Sequence, residues 1–585
     1  MAAAAVIPIS KRAGLKLAVS KSVNAKPKLG LRVWMERVLI ECDRVAAGFD
    51  ADPVHDLRVA LRRCRSLADG MIAIDPDSSW KDMKKAGRKL FQALGELRDM
   101  QVMLEWIEKL SGNPPLKVTH FSAGNSSSAN LTSRDSPSNF PGAGALTMRA
   151  STSRDSDSVD SILSDGGDPV VARLLAHIRA REAELKQRAF KVLDQFDRKQ
   201  WCQWSRTLPR RAARVRPGST VYLHLALEKW TAAYDLHKHA LRARSQISFH
   251  ELRIGIKHFR YTVENFLPRQ HALWGSDLKD LQDCLGDVHD LDVLWATAVE
   301  LHPFPDVASR VRWREQLNRE RTKRIARYRE KMVGRQSLWR VWRAELPSGA
   351  ALRAAALGRL RVWAGYLDPD VAHSQRVAQI ALHLYDGLQN AGLVGSNDAA
   401  NSALPDHHSR AILQAAALMR DVGKAKGEAN HQKASYRMIR GLARPLGWSA
   451  RELELAAVVA RYHRGALPRP RAKTMQLLEL PDRAIALELA GILRLANALA
   501  SRGGHSAKEN ESAPQIEVRL QDHWVEVRAA GYSALDRSAD GVAAARHLLE
   551  TVLRRPVLVR ALRLAAHPRK GQSTNGVALN SLRKN

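Results

Sequence analysis

Between Leu31 and Leu110 the apolar positions recur every third or fourth residue, the period of a helix that turns one face to a core. The pattern stops at Gly112–Pro115, and the stretch up to 169, with Ser126–Ser128 and the Ser/Asp-rich Ser151–Asp168, has neither periodicity nor aromatic anchors. Such a composition cannot offset the entropy of ordering, so 111–169 is expected to be a disordered insertion. Helical periodicity resumes near Val170 and runs to Glu345, with breaks expected at Pro209, Pro217, Pro268 and Pro303–Pro305. A third helical stretch spans 352–500 and ends in the polar run Ser501–Glu511. From Ile516 the period falls to two, in Ile516–Leu520 and Trp524–Arg528. That predicts a hairpin, followed by a helix over Asp540–Arg554 and a strand near Val557–Leu564. The fold class read from this pattern is mainly α, closing with a small α+β domain over 512–570.

One internal repeat stands out. His55, Arg58, Arg62 and Arg65 recur as His250, Arg253, Lys257 and Arg260, in both cases at i, i+3, i+7 and i+10. At roughly 100° per residue these positions share an arc of about 80° on one helix face, while Leu57, Leu61 and Cys64, like Leu252, Ile256 and Phe259, take another. Each copy has a second part: Leu94–Met103 echoes Leu285–Leu294, and Arg88 matches Lys279. The first copy adds Lys81, Lys84, Lys85 and Lys89. The near-constant offset argues for duplication, and two homologous hairpins packed about a pseudo-twofold would bring both stripes onto one channel.

Charge then decides what such a channel would take. The 585-residue chain carries 93 Lys and Arg against 60 acids, a formal +33. That excess favours a polyanionic partner. A ladder of four cations advances about 15 Å along a helix and suits phosphoryl oxygens on a linear chain, with Arg giving forked contacts and Lys a mobile point charge. Plain solvated helix surface is the competing reading of the stripes, and a two-histidine metal site the weaker one, since surrounding cations oppose it. Asp99 and Asp290 either brace the arginines from behind or are ordinary surface acids. Four scattered cysteines make no disulfide framework and suit a reducing compartment. No apolar run reaches the length of a membrane span. The acid-free start, 1–30, reads as a disordered basic tail, with an organellar transit peptide as the alternative.

The HisxxArgxxxArgxxArg stretches, each followed by a LeuGlyxxxAsp element, resemble the two halves of a CHAD domain over 31–345, with halves at 31–110 and 170–345. Lys257 departs from the pattern at the middle Arg but keeps the charge. The resemblance implies two pseudo-symmetric helical bundles that bind inorganic polyphosphate in a basic central groove and associate with polyphosphate granules in the cytoplasm. Carried onto this chain, it points to His55, Arg58, Arg62, Arg65, Arg88, His250, Arg253, Lys257, Arg260 and Lys279. The triphosphate-hydrolysing tunnel domain that precedes the first half in many relatives has no counterpart in 1–30.

The region from Leu352 to Leu564 resembles the HD-type helical domain (352–500) and following small domain of exopolyphosphatases and guanosine pentaphosphatases. His373, Arg420-Asp421-Val-Gly-Lys424, His431, His463 and Asn497 carry the likeness. An active HD centre converges His and Asp on divalent metal, and two positions depart: Arg420 stands where a His is expected and Asn497 where an Asp is expected. Arg cannot ligate a metal and brings a fixed positive charge. The degenerate candidate metal set is therefore His373, Asp421, His431 and His463. No nucleotide-binding glycine loop is present, nor the actin-like ATPase domains of the full enzymes.

The expectation drawn from the sequence is a non-catalytic polyphosphate-binding protein that requires no cofactor, with a residual divalent metal in the HD-like domain as the one candidate. The balance falls against an enzyme. A metal-dependent phosphohydrolase, fed by the basic domain, is the alternative. A nucleic-acid binder is disfavoured: aromatics are 6% of the chain and do not interleave with the stripes. Oligomeric state is not legible.

Overall fold

Ten helices build the first region of the computed structural model, which describes residues 30–110, 169–395, 406–500, 515–535 and 538–562. But for Gly30 and Pro169, the expected basic tail and insertion lie outside these residues, as do the polar run 501–511 and the end of the chain. The helices are α1 (Leu31–Ala47), α2 (Ala51–Ile72), α3 (Ser79–Leu110), α4 (Pro169–Asp194), α5 (Arg198–Ala212), α6 (Thr220–Ala243), α7 (Gln246–Phe266), α8 (Pro268–Leu301), α9 (Val307–Met332) and α10 (Leu338–Ala344). Pro268 opens α8 as expected, because a first-turn residue needs no donated N–H. Pro209 does not end α5, which runs three residues past it to Ala212.

The chain packs as two series of antiparallel neighbours, α1–α2–α3–α4 and α6–α7–α8–α9, joined where α2 meets α7 and α3 meets α8. The apolar faces read from the repeat close the core: Leu57, Leu61, Cys64, Leu252, Ile256 and Phe259 are all buried. A smaller cluster sits where the two series touch, with Val102 and Ile107 from α3, Leu291 and Leu294 from α8, Leu174 from α4 and Leu317 from α9. Helix α4 lies along α3, so the packing puts it with the first series, ahead of the division expected at 170. An ionic ladder fastens α9 to α8: Arg321 to Asp292 at 3.0 Å, Arg324 to Asp287 at 3.1 Å and Lys331 to Asp280 at 3.2 Å.

The second region comprises α11 (Gly349–Leu367), α12 (Val371–Asn390), α13 (Asp406–Met419), the 3₁₀ turn Val422–Lys426, α14 (His431–Arg440), α15 (Ala450–Arg461), α16 (Lys473–Gln476) and α17 (Leu480–Ala500), then β1 (Ile516–Leu520), β2 (Val525–Ala529), α18 (Ser538–Leu553) and β3 (Val557–Ala561). Ser449 and Glu452 form a reciprocal cap at the start of α15, a device worth about 1 kcal/mol. The sheet order is β1-β2-β3, antiparallel then parallel, with Val518 opposite Val527 and Val527 opposite Val559. This sheet has no core of its own. Val525, Val527, Val557 and Leu549 join one cluster with the helices α12, α13, α15 and α17. Gly387 and Gly491 permit the fit, since a Cβ there would sit 2.6 Å from Val518 and 3.1 Å from Leu549.

A seam joins the regions. Helix α11 packs on α6, and its Arg359 donates to Glu228 Oε1 at 2.6 Å and to the Ala73 carbonyl at 3.0 Å. His224 Nε2 lies 2.8 Å from the Leu446 carbonyl across the same boundary. Among the described residues no helix is long and apolar enough to cross a membrane.

Candidate functional site

Two places concentrate chemistry. In the first region, α2 and α7 lie side by side and bury much of their cationic stripes: Arg58 is 4% exposed, Arg62 7%, Arg253 1% and Arg260 5%. Burying a guanidinium costs several kcal/mol unless something offsets it. Aromatic faces supply part of the offset, with Phe91 under both Arg58 (5.4 Å) and Arg65 (5.0 Å) and Tyr261 under Arg62 (5.6 Å). Aromatics therefore do meet the basic stripes, supplied by neighbouring helices as well as by the motif's own continuation. Glu264 takes up Arg63 in an ion pair, and Asp99 opposes the charges of Arg58 and Lys257. None of the three nitrogens of Arg253 has a hydrogen-bond partner among the described residues.

The two ladders converge. Burial, and then the charges of Arg253, Arg62 and Arg58, push the Lys257 ammonium well below its ordinary range. Burial together with Arg98 and Arg62 lowers His55 to about 4. The His250 and His289 rings pack at a tilt with Nδ1 atoms 3.2 Å apart, and burial beside Arg253 drives His289 to about 2. Both imidazoles are thus neutral near pH 7, in a place where an added anion would favour their protonation.

A cavity of about 120 Å³ opens from this cluster. Arg62, Arg65 and Lys257, of the ten residues expected, line it, together with Lys229, His258, Phe91 and Tyr261. Arg88 is exposed on α3 and close enough to bear on Arg65. Lys279 and Arg260 both face Asp283, outside the cavity wall. Lys229 was not legible, because α6 carries no part of the repeated motif; His258 was passed over too, although its place beside Lys257 in the motif could have pointed to it.

The second place is the turn that follows α13. Gly423 packs so tightly on α14 that a Cβ would stand 2.1 Å from the His431 carbonyl, and its N–H donates to Ser435 Oγ at 2.9 Å. That approach sets Asp421 against the first residue of α14. Asp421 Oδ1 lies 3.2 Å from His431 Nε2 and 3.6 Å from His463 Nε2, and the two nitrogens are 3.4 Å apart. All three side chains are buried. His431 Nδ1 sits 3.0 Å from the Glu428 carbonyl and His463 Nδ1 2.8 Å from that of Ala460. Carbonyls only accept, so each Nδ1 holds the proton and each Nε2 turns a lone pair inward.

Three lone-pair atoms thus point at one another. Burial holds His463 neutral, down to about 3, so its Nε2 brings no proton to the cluster. Although burial alone would raise the Asp421 carboxyl, Arg420 and Lys424 keep it below its ordinary value. An ion about 2.1 Å from each of three ligands sets them about 3.0–3.4 Å apart, close to the separations seen. The residues fit a divalent metal. His373, the fourth candidate, does not join the group; it stands near Arg420 and Asp421, where burial and the guanidinium lower it.

The two departures in the sequence have met. Arg420 Nε donates to Asn497 Oδ1 at 3.1 Å, and its Nη1 donates to Ser374 Oγ at 3.0 Å and the Ala417 carbonyl at 2.8 Å. Its Nη2 pairs with Asp421 Oδ2 at 3.1 Å, and Lys424 Nζ reaches the same oxygen at 3.2 Å. Arg420 is therefore held beside the ligand cluster without displacing it.

With these geometries in place, residues 35–299 match the model of the CHAD domain, and residues 364–536 match that of domain III of the Ppx/GppA phosphatases. No curated protein matches the chain. The two matches support a polyphosphate-related function. The expectation against an enzyme is overturned: the buried Asp421–His431–His463 cluster lies within the phosphatase-domain match. Reading Arg420 and Asn497 as loss of the centre missed that each is satisfied by the other.

Proposed function

We propose that the two matched regions act in series, as a metal-dependent phosphohydrolase that holds linear polyphosphate on its basic helices and cleaves phosphoanhydride bonds at the Asp421 centre. The convergence of ligand atoms from Asp421, His431 and His463 in a buried site is the observation that carries this reading. Arg62, Arg65, Lys229 and Lys257 line the cavity and contact phosphoryl oxygens; Arg58 and Arg253 behind them supply the field that draws a polyanion in. Binding of this kind proceeds chiefly by charge and counterion release, so it weakens steeply with salt. The same affinity accounts for an association with polyphosphate granules.

At the centre, Asp421, His431 and His463 hold the cation, each imidazole oriented by its backbone carbonyl. A divalent ion bound there supplies Lewis acidity toward water and a phosphoryl oxygen. Lys424, part-exposed beside Asp421, meets the incoming phosphate charge, and Arg420 fixes the second carboxylate oxygen so that Asp421 presents Oδ1 alone. Buried walls exclude other water.

The test is phosphate release from long-chain polyphosphate by the full chain with Mn²⁺ or Zn²⁺, beside a His463→Ala variant. Metal-dependent release that the substitution abolishes, with polyphosphate still bound, is expected. Equal release by the variant would overturn the reading. A competition between polyphosphate and duplex DNA at matched phosphate and salt reads the choice of polymer, which should favour the slender chain.

A further inference from the structure

Around Arg420 the fold has built a cation cage and filled it. The guanidinium is 0% exposed and sits among Asn497 Oδ1, Ser374 Oγ, the Ala417 carbonyl and Asp421 Oδ2, at 2.8–3.1 Å, with the His373 ring nearby. Ser374 in turn donates to the buried Asp368. Oxygen donors with a carboxylate and an imidazole are what a second metal ion would require, and here an arginine occupies the space between them.

Resting on the function proposed above, we propose that the Asp421–His431–His463 centre takes one transition-metal ion, and that Arg420 is the permanent second cation beside it. Three features support one ion. Asp421 divides its oxygens: Oδ1 faces the two imidazoles, whereas Oδ2 is committed to Arg420 and Lys424. A metal bridging through Oδ2 would have to displace both cations. It would also stand within a few ångströms of a guanidinium that cannot deprotonate, and two positive charges at that range repel strongly. The donor set decides which ion. Two neutral imidazoles and one carboxylate oxygen suit Mn²⁺, Fe²⁺, Co²⁺ or Zn²⁺, whereas Mg²⁺ prefers six oxygens.

A fixed guanidinium and an exchangeable metal differ in kind. The arginine gives its charge at every metal concentration, so only one equilibrium governs loading, and the site has no half-filled state.

The experiment is equilibrium dialysis of the full chain against equimolar Mg²⁺, Mn²⁺ and Zn²⁺, with elemental analysis of the protein and paramagnetic resonance of the Mn²⁺-loaded form. One ion per chain, not Mg²⁺, and the signal of an isolated Mn²⁺ are expected. An Arg420→Ser, Asn497→Asp variant should rise to two ions with a spin-coupled pair, and Arg420→Lys, which keeps the charge, should stay at one. Two ions in the unaltered chain, or one in the double variant, would overturn the inference while leaving the hydrolase reading intact. No ion at the centre would overturn both. Should the double variant fail to fold, the unaltered chain and Arg420→Lys decide.

Discussion

Two buried arginines show how differently the two regions treat charge. Arg253 is 1% exposed and makes no hydrogen bond to a described residue through any of its three nitrogens; Arg420 is 0% exposed and has acceptors on every side. The first is a cation stored at a cost in stability, and an external anion would relieve that cost. The second is already neutralised by its surroundings, and works on a neighbour. A buried charge lacking hydrogen bonds marks where a ligand goes, whereas one hydrogen-bonded and ion-paired within the fold marks what the protein holds in place.

The largest effect should come from removing the ligand cluster. Asp421→Ala should cut metal-stimulated phosphate release about a thousandfold, the scale of several kcal/mol of lost transition-state stabilisation, with polyphosphate titrations unchanged. A loss under tenfold would erase the distinction between the regions. Next, Arg253→Met should weaken polyphosphate binding about a hundredfold at physiological salt, the order of a desolvated charge contact. Its ligand-free melting temperature should be no lower than that of the unaltered chain; a large drop would show that Arg253 is structural after all.

Gly423→Ala sharpens the contrast in the other region. Its Cβ would collide with the α14 backbone, so a cost of about 1–3 kcal/mol is expected, read as earlier thermal unfolding and weaker metal uptake. Binding to the basic helices should not move. The smallest effect concerns protons. Ligand-free His55 is lowered to about 4 and His250 is lowered too, while a bound polyanion favours their charged forms, so binding takes up protons. Affinity should therefore rise as pH falls, by about threefold between pH 7.5 and 5.5, against a ceiling of roughly tenfold per unit of pKa change. His55→Gln should flatten the profile. A titration showing weaker binding at the lower pH would reverse the sign and remove the histidines from the site.

Helical periodicity made most of the architecture legible, because burial of Leu57, Leu61 and Leu252 demands it whatever the neighbours do. The final hairpin was legible for the same reason, with β1 ending at Leu520 as expected and β2 starting one residue later, at Val525. What periodicity cannot carry is which element packs on which. Helix α4 went to the first series, Lys229 entered the cavity from a helix without a motif, and the small sheet shares its core with α12, α13, α15 and α17. At the metal cluster, the residue types pointed to the correct segment but to a centre that had lost its chemistry. Position by position, Arg420 and Asn497 each subtract a ligand; only their contact at 3.1 Å reveals one exchange of charge instead of two losses.

The seam at Arg359 turns the protein into a gauge. With α11 clamped to α6, and Glu228, Ala73 and Leu446 tied across the boundary, the distance between the basic cavity and the Asp421 cluster is set by packed backbone, not by a slack tether. On the function proposed above, a polymer long enough to reach both would be presented to the Asp421 centre at high local concentration, and one too short would arrive there unaided. Length discrimination would then follow from the clamp alone, with no side chain needed to count phosphates.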